Sequence, residues 1–89
     1  MKKSNLWAVI PARNEEKDIF RVVKKTKKYA DKVVMIDDGS TDRTGLLGEK
    51  AGAMVLRHIV NLGKGAALKT GCDFAVRSGA KSIVVLDSD

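Results

Sequence analysis

Four short apolar runs recur along the 89 residues, with polar, helix-forming stretches between them. No other feature limits the fold of such a chain so tightly. The runs cover positions 6–10, 32–37, 53–56 and 82–86, lengths suited to buried strands, and Pro11 stops the first of them. Between the first two, Ile19, Val22, Val23, Thr26 and Ala30 share one helical face, with Lys17, Arg21, Lys24, Lys25 and Lys28 opposite as a solvated surface. A second helix over 41–51 is weakened by Gly45 and Gly48 and ended by Gly52. A third over 66–77 buries Leu68, Cys72, Ala75 and Val76, and Gly71 within it signals close packing against the sheet. Strand alternating with helix predicts an α/β fold: a three-layer, Rossmann-like parallel sheet, βαβαβαβ, with right-handed crossovers. If the fourth strand returns beside the first, the order is 3-2-1-4, and strands one and four flank a topological switch point.

Eighty-nine residues make one small domain, and no apolar run approaches the ~20 residues a membrane helix needs. A net charge of +6 suits anionic partners: nucleotides, nucleic acid or acidic lipid. Cys72 has no second cysteine to pair with, which points to a reducing compartment and a cytoplasmic location.

The polar residues that carry chemistry sit where the strands end. The second strand runs into Asp37 and Asp38, then Gly39, Ser40, Thr41 and Asp42. Adjacent residues of a strand point to opposite faces, so one acid can support backbone while the other meets a ligand. Asp38, nearer the glycine, is the expected ligand contact, accepting from a base imide or amine. Ser40 or Thr41 is expected to cap the second helix, and Asn14 the first, with Glu15, Glu16 and Asp18 in or near its opening turn. Asp87 and Asp89, two apart in extended chain, point the same way and can share one Mg²⁺ or Mn²⁺ ion that bridges a diphosphate; the same triplet also reads as a solvated terminus. Gly63, Lys64 and Gly65 open the third helix like a phosphate cradle. No Ser or Thr follows the glycine–lysine pair, and Leu68 stands where a dinucleotide motif needs its third glycine. What remains is a lysine at a helix start near a diphosphate. His58 stands alone in the pattern with no assigned role, and no zinc spacing or Ser/His/Asp grouping is present.

Together the segments 9–15 (VIPARNE), 36–42 (IDDGSTD), 61–65 (NLGKG) and 86–89 (LDSD) resemble the family-2 glycosyltransferases of GT-A fold. The nearest branch is similar to the dolichyl- and polyprenyl-phosphate sugar transferases of mannose or glucose. The resemblance implies a GDP- or UDP-linked sugar donor, a divalent metal (Mg²⁺ or Mn²⁺), inversion at the anomeric carbon and a polyprenyl or dolichyl phosphate acceptor, with no nucleic-acid partner. It places Pro11, Ala12, Asn14 and Glu15 around the nucleoside, Asp38 on the base, Lys64 and Asp87 with the nucleotide, and Asp87 and Asp89 on the metal.

The family's catalytic base and acceptor site lie beyond its DxD, so no catalytic residue is expected in this chain. Residues 1–89 then correspond to an N-terminal nucleotide-sugar-binding subdomain truncated at the DxD, inactive alone. The longer parent is expected to associate with the cytoplasmic face of a membrane, and the fourth strand's edge to pair two copies into a homodimer. The alternative is a non-catalytic nucleotide-binding remnant or a regulatory α/β domain. A receiver-type domain would carry its acid pair after strand one, and a sugar-nucleotide pyrophosphorylase a glycine-rich loop there.

Overall fold

The computed structural model describes residues 5–88. Seven elements alternate along it: β1 (Leu6–Ala12), α1 (Ile19–Thr26), β2 (Lys32–Asp38), α2 (Thr44–Ala51), β3 (Met54–His58), α3 (Lys64–Arg77) and β4 (Ser82–Val85). The sheet is parallel throughout, as the strand–helix alternation predicts, and its order is β3-β2-β1-β4, the one expected for a fourth strand that returns beside the first. Winding runs outward from β1 to β3 and then reverses to β4. With crossovers of one hand, that reversal puts α3 on the face opposite α1 and α2.

The strands' period of two divides the core accordingly. Ala8, Ile10, Val33 and Met35 point toward α1 and α2, where they meet Ile19, Val23 and Ala51. Trp7, Val9, Val34 and Ile36 point the other way, against Ala67 and Ala75 of α3. Each large aliphatic side chain so buried contributes roughly 1.5–3 kcal/mol. The Trp7 indole N–H keeps a partner in the Asn5 Oδ1 at 2.9 Å, and its ring lies 6.2 Å from that of Phe74.

Several element boundaries differ from the sequence expectation, each for a local reason. β1 runs through Pro11 to Ala12. The carbonyls of Asn5 and Val9 bond toward β4 and that of Leu6 toward β2, so Pro11 presents its missing N–H on the β4 side. There the ladder has already ended at Val85, and no donor is needed. α1 begins at Ile19, after a turn in which the Glu15 carbonyl accepts the amides of Asp18 and Ile19. Asn14 (φ +53°) lies outside the helix and does not cap it, and Glu15, Glu16 and Asp18 precede its first turn. α2 begins at Thr44 rather than at 41; Asp42, not Ser40 or Thr41, accepts the Thr44 amide at 2.9 Å.

β3 extends to the polar pair Arg57 and His58, because its length is set by register against β2, Val34 opposite Met54 through Asp38 opposite His58. α3 starts at Lys64 and buries Ala67, Gly71 and Ala75, with Leu68 and Cys72 half-buried beside them and Val76 exposed. A Cβ on Gly71 would stand 2.4 Å from Ile36 Cδ1 and 2.5 Å from Val9 Cγ1, so the helix rests on its smallest residues. That close approach rotates the buried stripe one position from the one its larger residues suggest. β4 ends at Val85, although the Leu86 amide still reaches Val9 O at 3.1 Å.

Candidate functional site

The carboxyl ends of β1, β2 and β4 and the start of α3 enclose a cavity of about 370 Å³. It lies at the reversal between β1 and β4, the place where open α/β sheets bind ligands. Pro11 and Ala12 form its β1 wall with Arg13 and Glu15, Asp38 its β2 wall, and Asp87 and Ser88 its β4 wall; Asn61, Gly63, Lys64 and Ala67 close it from the α3 side.

The acid pair divides its work by strand parity. Asp37 points toward α2 and is fully buried; its Oδ1 accepts the Ser40 amide at 3.0 Å and its Oδ2 the Arg57 guanidinium at 2.9 Å. Arg57 also donates to the Ser40 carbonyl at 3.2 Å, so Asp37 and Arg57 together pin the turn that follows β2. Asp38 points the other way, into the cavity wall. Its Oδ1 accepts from His58 Nδ1 at 2.8 Å and the Leu62 amide at 2.9 Å, and its Oδ2 accepts the Gly63 amide at 2.8 Å. Burial pushes the Asp38 carboxyl up, but the amides and His58 more than offset this and hold it below its ordinary value.

Gly39 follows in the left-handed region (φ +75°), and a Cβ there would stand 2.6 Å from the Asn61 nitrogen. The loop after β3 thus lies directly on the turn after β2.

The loops after β1 and β2 are stitched to each other. The Asn14 amide donates to Ser40 Oγ (2.9 Å), the Glu15 amide to Thr44 Oγ1 (2.8 Å) and the Glu16 amide to Asp42 Oδ2 (3.3 Å). In return Asn14 Oδ1 accepts the Thr41 amide (2.9 Å), and Glu16 Oε1 accepts that of Arg43 (3.2 Å). Burial pushes the Asp42 carboxyl up, while the Thr44 hydroxyl and amide and the Glu16 amide outweigh it and hold Asp42 low. The residues that read as helix caps instead lock the β1 wall of the cavity to its β2 neighbour.

At the opposite rim, Lys64 Nζ meets Asp87 Oδ1 at 2.7 Å, both side chains well exposed. The carboxylate of Asp87 is a hard oxygen donor at the open edge of the cavity. Mg²⁺ is commonly held by one or two such carboxylates and completed by phosphate and water, so the donor chemistry fits a divalent ion. Asp89 lies outside the described residues, and the described ones contain no cluster of three or more metal-ligating side chains.

Of the residues expected at the site, Pro11, Ala12, Glu15, Asp38, Lys64 and Asp87 line the cavity. Asn14 stands behind the wall with its side-chain oxygen on Thr41. Arg13, Asn61, Gly63, Ala67 and Ser88 line it without having been singled out as contacts. Asn61 and Gly63 belong to the 61–65 segment, in which the local pattern assigns a ligand-facing role to the lysine alone.

A parallel sheet with an acid-walled, lysine-edged crevice at its topological switch is the α/β architecture that binds ligands beyond the carboxyl ends of its strands. The chain belongs to Glycosyl transferase family 2, which it matches over residues 7–89. It is 42% identical, along its whole length, to the uncharacterized protein MJ1222 of Methanocaldococcus jannaschii, covering 37% of that protein. It is 30% identical to a dolichyl-phosphate beta-glucosyltransferase of Trichomonas vaginalis, over 94% of this chain and 30% of that one. Among solved structures it superposes on glucosyl-3-phosphoglycerate synthase from Mycobacterium tuberculosis, in complex with Mn²⁺, UDP and glucosyl-3-phosphoglycerate. The TM-score is 0.72 at 29% identity, over 94% of this chain and 33% of the synthase. The architecture is that of the GT-A glycosyltransferases. The chain spans less than two fifths of the length of each of these proteins.

Proposed function

We propose that this chain is the donor-binding part of an inverting glycosyltransferase that moves a hexose from a UDP- or GDP-sugar to a polyprenyl or dolichyl phosphate. The observation that carries the reading is convergence: Pro11, Ala12, Asp38, Lys64 and Asp87, from four separate segments, line one cavity at the β1–β4 switch. The bound UDP of the mycobacterial synthase supports a uridine donor, and the name of the Trichomonas relative supports a dolichyl phosphate acceptor.

In this reading the Asp38 carboxylate accepts a base N–H, and Pro11, Ala12 and Glu15 flank the nucleoside, with Asn14 holding that wall in place. Lys64 sets its charge against the diphosphate. Asp87, with Asp89, would hold Mg²⁺ or Mn²⁺, whose charge stabilises the departing diphosphate. Inversion further requires a base within reach of the acceptor's proton. We assign none in these residues, and expect the 89-residue chain alone to bind donor without transferring sugar. We further propose a cytoplasmic location, with the longer parent on the cytoplasmic face of a membrane; among the described residues no helix is long and apolar enough to cross one.

Calorimetry with UDP and GDP in Mn²⁺ or Mg²⁺, repeated in chelator, tests the proposal. Metal-dependent binding of at least one nucleotide is expected. Equal affinity in chelator would remove the metal from Asp87 and Asp89, and no binding of either nucleotide would overturn the donor reading.

A further inference from the structure

His58 lies next to the nucleotide cavity with both ring nitrogens engaged. It stands opposite Asp38 in the β2–β3 register, so the two side chains share a face of the sheet. Nδ1 is 2.8 Å from Asp38 Oδ1, and Nε2 is 2.9 Å from Thr70 Oγ1 on α3. Its side chain is only 12% exposed, and that of Asp38 only 5%. A carboxylate only accepts, so Nδ1 carries a proton; the Thr70 hydroxyl can then donate to Nε2 of a neutral ring. Asp38 Oδ1 thereby receives two donors, from His58 and the Leu62 amide, while Oδ2 receives one, from the Gly63 amide. With about two acceptor sites on each oxygen, the vacant one is on Oδ2.

We propose that His58, backed by Thr70, is a positioning residue. It saturates one oxygen of Asp38 and fixes the carboxylate's rotation, so that the other oxygen presents a single acceptor site to an imide or amide N–H of a nucleobase. The inference rests on the donor-binding reading, and it goes further by assigning base discrimination to a residue that need not touch the base. Without His58, the carboxylate keeps the two loop amides but can turn, and the selectivity for a donor edge relaxes. The Nδ1 position is the one an asparagine amide can replace, whereas a glutamine amide reaches toward Thr70 instead.

The chain has one histidine, so ¹⁵N-histidine NMR reads its tautomer without assignment. A proton on Nδ1 is expected in the free protein; an Nε2–H ring with bare Nδ1 would overturn the proposal whether or not nucleotide binds. Calorimetry with UDP and its N3-methyl analogue then measures discrimination. Loss of a hydrogen bond to a charged acceptor predicts that N3-methylation weakens binding to the parent chain by about tenfold or more. His58→Gln should lose most of that ratio, His58→Asn should keep it to within about threefold, and pyrophosphate affinity should be the same in all three. Thr70→Val, a milder change, should lower the ratio without abolishing it. Unchanged discrimination in His58→Gln refutes the positioning role while leaving the donor reading intact. Should the unsubstituted chain bind GDP and not UDP, the same ratio is read with GDP and its N1-methyl analogue; absence of binding of both nucleotides refutes the donor reading itself. Should His58→Gln fail to fold, the ratio in Thr70→Val decides: no change there counts against the proposal.

Discussion

The folded surroundings hold the carboxyls of Asp38 and Asp42 low, and the two serve different purposes. Asp38 keeps the β3–α3 loop against the cavity through the amides of Leu62 and Gly63. Asp42 keeps the β1 and β2 loops together through Glu16 and Thr44. Asp38→Ala should weaken nucleoside as well as nucleotide binding; an effect confined to pyrophosphate would contradict the base contact. A carboxyl lowered on folding adds stability that is complete above its unfolded pKa, ~3.9, and vanishes as the pH falls through the lower folded value. Stability of this chain should therefore decline on acidification below about pH 4. Asp42→Asn should cost about 1–3 kcal/mol at pH 7, and the gap to the parent should narrow as the carboxyls protonate. Urea titrations at a series of pH values measure both, and a gap constant from pH 7 down to pH 3 would count against this account.

At the scale of elements, much of the molecule could be read in the chain. All four strands and three helices follow from apolar runs at 6–10, 32–37, 53–56 and 82–86 and from the helical faces between them, and the strand order follows once the fourth strand is taken to return beside the first. What could not be read is what long-range pairing decides. β3 extends through Arg57 and His58 because they lie opposite Asp37 and Asp38, and no hydrophobicity pattern announces a polar strand end. Asn14, Ser40 and Thr41 look like helix caps locally, yet they bond across 26 or 27 positions to the neighbouring loop. The same limit hid His58, whose partners are 20 and 12 residues away. Gly39 shows the coupling between loops most sharply. Gly39→Ala combines a left-handed backbone with a methyl 2.6 Å from the Asn61 nitrogen and 2.8 Å from the Val60 carbonyl carbon. It should cost about 2–4 kcal/mol in thermal or chemical unfolding. Because Asn61 and Gly63 line the cavity, it should also weaken nucleotide binding. A variant of parental stability would show that the two loops are not in contact.

For the whole molecule, the winding that creates the crevice also leaves β4 at the end of the sheet, with Val85 46% exposed and no strand beyond it among the described residues. Such an uncharged edge pairs readily with another chain. Sedimentation over a concentration series should reveal self-association of the isolated chain, and Val85→Lys should suppress it. A monomer at all concentrations, unaffected by that substitution, would dismiss the strand-four dimer.

The claim on which the rest depends is that one cavity holds base, diphosphate and metal together. A crystal structure of this chain grown with UDP and Mn²⁺ tests it most directly, with GDP in parallel. The account predicts the base within hydrogen-bond distance of Asp38 Oδ2, the diphosphate between Lys64 and Asp87, and the ion on Asp87. Nucleotide seated away from the β1–β4 crevice, or a base that leaves Asp38 untouched, would contradict it.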